Sequence, residues 1–416
     1  MPGLSEDFHS PRIINFLENE YPSLEHLYRE FHSHPELSGQ EVWTSGRLAS
    51  ELEAAGYTVT KGIGGFGVVA VMRNGEGPVL MLRADMDALP VREETGLPYT
   101  STIKMNDNQG RTVDVMHACG HDLHMTALVG AARVMRAIRN MWKGTLVLIG
   151  QPSEEMVSGA ARMIEDGLYS RFPRPEAVIS FHVAPELPSG TIGYREDLIS
   201  AGSESLDIVV RGIGGHAAHP EKTRDPVVIA AQIILAYQTI ISREISSDEM
   251  AILTVASVHG GLKHNAIPDE IELQVNIRYF RQSVRDQLLD AIRRVGDGIA
   301  RSAGLPPELF PTITIIPESV PPVRNDPLIT SRVATAFLRV YGPDRVRYIE
   351  PSSGSEDFGI FGAVEPPIPI CYFRVGCGDG SCGFLHSSRF APDPKIITNA
   401  SHVLVIAALE LLSREK

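Results

Sequence analysis

The stretch with the most chemistry per residue is MHACGHDLH at positions 116–124, which holds three histidines, one cysteine and one aspartate. Cys119 and His121 are separated by a single glycine, and Gly120 lets the backbone fold tightly enough to aim a thiolate and an imidazole at one point. Those are the ligand types that zinc and its neighbours prefer. A polar loop capping a helix could use the same residue types, so the cluster does not define a site by itself. Other candidates lie elsewhere in the chain. Glu154-Glu155 follows the apolar run GTLVLIG, where unpaired carboxylates are costly. A metal would resolve that cost for one of them and leave the other free as a general base. His182 stands in SFHVAP after another apolar run, His386 in FLHSSRFAPD, and Asp85 with Asp87 after a third run.

Positioning these residues takes a scaffold, and the periodicity supplies one. Helical spacing is read over 22–34 and over 40–55, the latter ended by Gly56. Strands are read over 57–61, 68–73 and 78–83. A helix is expected over 125–139, with 116–124 as the loop that enters it. Apolar strands follow over 144–150 and 177–181. Apolar strands alternating with helices imply α/β architecture with a mostly parallel sheet. Asp85, Asp87, Glu154, Glu155 and His182 all fall just past strand ends, where open α/β sheets form their ligand crevice.

Near residue 198 the pattern changes. Strand, helix, two alternating strands, helix and strand are read over 205–212, 225–242, 251–259, 270–280, 284–303 and 312–316. That βαββαβ order is ferredoxin-like. Pro317, Pro321 and Pro322 mark the return linker. A helix over 326–341, strands over 345–349 and 368–375, and a last helix over 394–412 complete the main domain. The expectation is a catalytic domain of 1–198 plus 318–416, with an inserted domain of 199–317. The helix over 225–242 is apolar almost all round, which asks for a second packing partner.

The 416 residues are 43% hydrophobic, enough for a real core. A net charge of -13 argues against nucleic acid and anionic membranes as partners. The start of the chain lacks the apolar run of a secretory signal, and no charge-free stretch of about 18 apolar residues predicts a span. Four cysteines in this length make no disulfide framework, so a cytoplasmic location is expected. Cys377 and Cys382 with His386 have irregular spacing for a structural zinc site, and Cys371 reads as core.

Taken in order, RADMDALP (83–90), MHACGHDLHMTALVGAA (116–132), QPSEE (151–155), SFHV (180–183), GGHAAHPE (214–221), NAIPDE (265–270), GSEDF (354–358) and LHSSRF (385–390) span nearly the whole chain. The chain resembles the aminoacylase/carboxypeptidase metallopeptidases, in particular the amidohydrolase branch that includes hippurate hydrolases, N-acyl-amino-acid amidohydrolases and indole-acetyl-amino-acid hydrolases. The resemblance implies two divalent metal ions per subunit, zinc or manganese, with cobalt or nickel possible. It makes Cys119 the bridging ligand, His121 and His182 the other ligands of one ion, and Glu155 and His386 those of the second. Glu154 would be the general base and Asp87 the residue that orients a ligand imidazole. His216 would polarise the scissile carbonyl, often across a dimer interface, and Asn265 would contact the substrate carboxylate. The implied activity is hydrolysis of N-acyl amino acids, with a dipeptidase or carboxypeptidase as the alternative, in a homodimer or homotetramer. The chain departs from the branch at Met156-Val157-Ser158, where glycines are common, and at Pro220-Glu221, where Pro-His is common.

Overall fold

The computed structural model describes residues 11–412, and their contacts divide the chain into two units. The first comprises 1–199, 324–350 and 357–416; the second comprises 200–323 and 351–356. Pro317 does not end the second unit, because Ser203 and Val320 exchange backbone hydrogen bonds beyond it.

The first unit opens with α1 (Pro11–Ser33) and α2 (Val42–Ala54). Helix α1 begins well before the expected residue 22. Pro22 lies inside it, tolerated because Ile13, Leu17, Leu24, Leu27 and Phe31 continue one buried stripe through the proline. Strands β1 (Thr58–Ile63), β2 (Gly67–Asn74) and β3 (Val79–Asp85) follow. A small hairpin, Lys104–Asn106 with Thr112–Asp114, has no counterpart in the periodicity. Then come α3 (His121–Ala137), β4 (Gly144–Gln151), β5 (Ala177–Pro188) and β6 (Ile192–Tyr194).

The second unit contains β7 (Gly202–Arg211), α4 (Pro226–Thr239), β8 (Ala251–His259), β9 (Glu270–Tyr279), α5 (Gln282–Ser302) and β10 (Thr312–Ile315). Its antiparallel sheet has the order β8-β9-β7-β10, which is the ferredoxin-like arrangement of a βαββαβ chain. Ile229, Ile233 and Tyr237 of α4 are buried in this unit's core with Leu273, Ile277 and Leu288. Val227, Val228 and Leu235 on the same helix are exposed. The segment Pro226–Glu244 is long and apolar enough to cross a membrane by length and composition, but its buried side chains belong to this core.

The chain returns to the first unit with α6 (Pro327–Tyr341), β11 (Val346–Tyr348), β12 (Ile370–Gly378) and α7 (Ile396–Leu412). The eight-stranded sheet runs β1-β2-β4-β3-β5-β12-β6-β11. Its centre, β4-β3-β5-β12, is parallel, while β1, β2 and β6 pair antiparallel at its flanks. Strand β4 is buried at every position and α3 at nearly every one, so this part of the core holds its attached loops rigidly.

Candidate metal centre

Four segments of the first unit carry the candidate ligands. Helix α3 starts at His121, four residues earlier than the periodicity suggested, with Gly120 as its N-cap at φ 82°. A Cβ on Gly120 would lie 2.7 Å from Val183 Cγ2, so both the left-handed backbone and the close approach require glycine there. Cys119 therefore lies just before the helix and His121 in its first turn. The turn after β4 places Ser153 at φ 52° and Val157 at φ 46°, which presents two consecutive carboxylates. A β-branched residue in that region is strained, which gives a physical reason for the glycines that the resemblance leads one to expect there. His182 was expected past a strand end but lies within β5, because pairing with β12 carries the strand on to Pro188. His386 is at φ 63°, and its N–H donates to the Ala118 carbonyl at 2.8 Å, pinning its loop beside Cys119.

The resulting geometry has Cys119 at its centre. Its Sγ lies 3.3 Å from His182 Nε2 and 3.2 Å from His386 Nε2. Glu155 Oε1 is 3.5 Å from His386 Nε2 and 3.9 Å from His121 Nε2. Glu154 Oε2 is 3.9 Å from His121 Nε2. The ligand atoms form two overlapping groups, Cys119 with His121 and His182, and Cys119 with Glu155 and His386. Two donors on one tetrahedral zinc would be roughly 3.5 Å apart, given Zn–S of about 2.3 Å and Zn–N of about 2.0–2.1 Å. The spacings fit without rearrangement. His121 Nε2 is also buried with no hydrogen-bond partner, a cost that a cation would remove.

Three candidate ligands, His121, Glu155 and His182, are oriented from behind. His121 Nδ1 donates to the Asp87 carbonyl at 2.8 Å, with Asp87 Oδ1 3.4 Å away. Asp87 Oδ2 accepts from Ser38 Oγ at 2.6 Å and from the Glu155 N–H at 2.9 Å, so one carboxylate ties the histidine to the glutamate turn. His182 Nδ1 donates to the Val183 carbonyl at 2.7 Å, which leaves Nε2 facing the cysteine. Glu41, fully buried, accepts from the Ser153 N–H at 2.8 Å and steadies the turn from the other side.

The charges around the centre favour a cation. Burial alone would lower the pKa of His121, but Asp85, Asp87 and Glu155 outweigh it and raise it to about 10. Burial, then Asp87 and Asp85, push Glu155 up to about 7 against the pull of His121. Burial and the two glutamates hold the Cys119 thiol well above its usual range. A cation reverses these preferences by replacing protons on the same atoms. A third group, Asp85 with His121 and His124, does not read as an ion position. His124 Nδ1 bonds to Asp85 Oδ1 at 2.6 Å, its Nε2 accepts from the Val183 N–H at 3.0 Å, and Asp85 Oδ2 accepts from Arg83. His117 is buried with neither ring nitrogen hydrogen-bonded, and burial lowers its pKa to about 4.

Comparison with known proteins identifies the family. Residues 81–410 match the family described as Peptidase family M20/M25/M40. The chain belongs to that family. It is a hydrolase of C–N amide bonds. An N-acetylcysteine deacetylase of Bacillus subtilis is 34% identical over 94% of this chain and 97% of its own length. Thermostable carboxypeptidase 1 of Saccharolobus solfataricus is 33% identical over 92% and 95%. Among solved structures, the YxeP protein of Bacillus subtilis, described as a dinuclear metal binding peptidase of the M20 family, superposes with a TM-score of 0.79. It is 30% identical, covering 95% of this chain and 99% of that one.

Not every expected site residue of this M20 hydrolase lies in the cluster. His216 and Asn265 belong to the second unit, where both are exposed and the short strands Gly215–His216 and Ala266–Ile267 pair, so the two residues are neighbours there. The Ala218 N–H donates to His216 Nδ1 at 3.0 Å, which places the proton of a neutral ring on Nε2. Ser38 and Glu41 escaped the sequence reading. They precede or open α2 with no motif around them, and only their hydrogen bonds to Asp87 and Ser153 mark them.

Proposed function

We propose that the protein hydrolyses the amide bond of N-acyl amino acids with a pair of divalent ions, releasing a carboxylic acid and an amino acid. The observation that carries this reading is the Cys119 thiol lying between His182 Nε2 and His386 Nε2, at 3.3 and 3.2 Å, so that one sulfur serves two donor sets. His121 and His182 complete the first set, Glu155 and His386 the second. A thiolate with three imidazoles suits zinc, and the Glu155 carboxylate leaves manganese, cobalt and nickel open. When bound, the ions supply Lewis-acid polarisation of the carbonyl and a lowered pKa for the attacking water.

The chain's own groups do the rest. A Glu154 carboxylate oxygen takes a proton as the water oxygen bonds to the acyl carbon, and returns it to the amine nitrogen as the C–N bond breaks. Asp87 holds His121 with Nε2 towards the site. The Nε2–H of His216 donates to the developing oxyanion. Asn265 contacts the carboxylate of the amino-acid half. We also assign a homodimer, or a tetramer of such dimers, formed through the inserted unit, where Val227, Val228 and Leu235 give α4 an exposed apolar face. The carboxypeptidase relative supports a second reading, in which the same machinery cleaves a terminal peptide bond. A panel of N-acetyl and longer N-acyl amino acids set against dipeptides, assayed with zinc, manganese and cobalt, separates the two. The proposal expects the acyl amino acids to have the higher kcat/KM, and preference for unblocked dipeptides would overturn it.

A further inference from the structure

Arg83, Asp85 and His124 are all buried beneath the candidate centre, with exposures of 0%, 0% and 1%. They form a directed chain. Arg83 donates to Asp85 Oδ2. Asp85 Oδ1 lies 2.6 Å from His124 Nδ1, and His124 Nε2 accepts the Val183 N–H at 3.0 Å. Since Nε2 accepts, the ring proton sits on Nδ1 and is donated to Asp85. The same residue, Val183, accepts the Nδ1 hydrogen bond of His182 through its carbonyl, at 2.7 Å. The amide side of Val183 is thus tethered to His124 while its carbonyl side fixes the tautomer and rotation of His182.

The ring contacts run the same way. His124 meets His182 edge-on, with centroids 4.6 Å apart and planes at 70°, and lies 5.6 Å from the His121 ring at 30°. Asp85 Oδ2 is 3.8 Å from His121 Nε2. The chain therefore supports the two imidazoles assigned to one ion. The other donor set is mounted elsewhere. Glu155 hangs from Asp87 by its own N–H, and His386 is pinned by its N–H to the Ala118 carbonyl. Arg83 is itself anchored, because Gln151 accepts from its Nε at 2.8 Å and donates to Asp357 at 2.7 Å.

We propose that His124, held by Asp85 and Arg83, is a positioning residue that sets the affinity of the His121/His182 ion position without setting that of the Glu155/His386 position. The inference rests on the dinuclear reading of the centre. Outer partners of ligand histidines typically govern metal affinity by 10–100-fold. Here the partner acts one residue removed, through Val183, and serves two rings at once.

The test is metal binding rather than turnover. Chelator-treated full-length protein is titrated with cobalt, read by its d–d absorption, and with zinc in competition with a chelating dye. The dinuclear reading expects two binding steps in the unsubstituted protein; fewer than two would overturn that reading and not only this inference. His124→Phe keeps a ring but removes both hydrogen bonds. It should weaken one step by roughly 10-fold or more and leave the other within about threefold. His124→Gln retains an acceptor at the Nε2 position and should recover most of that loss. His124→Asn keeps a donor for Asp85 but cannot reach Val183, and should not. If His124→Phe does not fold, the Gln and Asn pair decides by itself. Equal weakening of both steps, or no weakening in His124→Asn, would overturn the proposal. Thermal unfolding of the metal-free variants separates the selective effect from a general loss of stability.

Discussion

His32 on α1 lies between two buried carboxylates that no step of the reaction uses. Its Nδ1 is 2.7 Å from Asp122 Oδ2 and its Nε2 3.1 Å from Glu93 Oε1, and its own exposure is 1%. Asp122 directly follows His121, a candidate ligand, so this triad ties the first helix to the start of α3. Burial opposes a charge on the ring, but Asp122 and Glu93 overcome it and raise the pKa from 6.5 to about 9. A raised folded-state pKa contributes stability that is fully present below the unfolded value and is lost as pH rises through the folded value. The window is therefore pH 6.5 to about 9. A rise of about 2.5 pH units at 1.36 kcal/mol per unit gives a contribution of about 3 kcal/mol, most of it gone by pH 9. His32→Gln would remove this dependence and leave two carboxylates without their cation, costing about 3–5 kcal/mol at pH 6.5. The assay is urea unfolding of chelator-treated protein, so that metal linkage does not enter. Trp43 and Trp142, the two tryptophans of the chain, both lie in the first unit and report on it. The stability gap between unsubstituted protein and His32→Gln should narrow by about 3 kcal/mol from pH 6.5 to 9. A gap that stays constant across that range would refute the reasoning.

Other predictions concern the reaction and its scaffold. Glu154→Gln should retain both metals and lose kcat by on the order of 10²-fold or more, whereas Glu155→Ala should lose one metal equivalent; identical behaviour would break the division of roles between the two glutamates. Mixing inactive Glu154→Gln protein with inactive His216→Ala protein should restore part of the activity through hybrid dimers, and subunit exchange without recovery would exclude action in trans. Val157→Gly relieves a valine held at φ 46° and should raise stability by roughly 1 kcal/mol in urea titrations; a loss would mean that its half-buried side chain outweighs the strain.

The sequence carried much of this because its signals were chemical and repeated. Cys119-Gly120-His121 and Glu154-Glu155 are dense, and apolar strands as buried as β4 announce the parallel centre of the sheet by composition alone. What it hid follows from physics that a pattern does not carry. Pro22 looked like a helix start because a proline usually is one, and only the stripe from Ile13 to Phe31 shows otherwise. His182 looked as if it followed a strand, because the pairing that extends β5 comes from β12, far along the chain. Met116 to His124 read as loop, yet α3 begins at His121 once Gly120 adopts its left-handed turn. Ser38 and Glu41 gain their significance only from tertiary hydrogen bonds with Asp87 and Ser153. Asp85 and His124 were visible as residues, but the hydrogen bonds that run from Asp85 through His124 to the Val183 N–H are purely tertiary.

The central claim is that hydrolysis depends on two ions held around Cys119. The most direct measurement is N-acetyl amino acid hydrolysis by chelator-treated protein as zinc or manganese is added back, with bound metal counted per chain by elemental analysis. The account predicts no turnover without metal and recovery that is complete only as the second equivalent binds. Undiminished turnover by protein shown to contain no metal would contradict it.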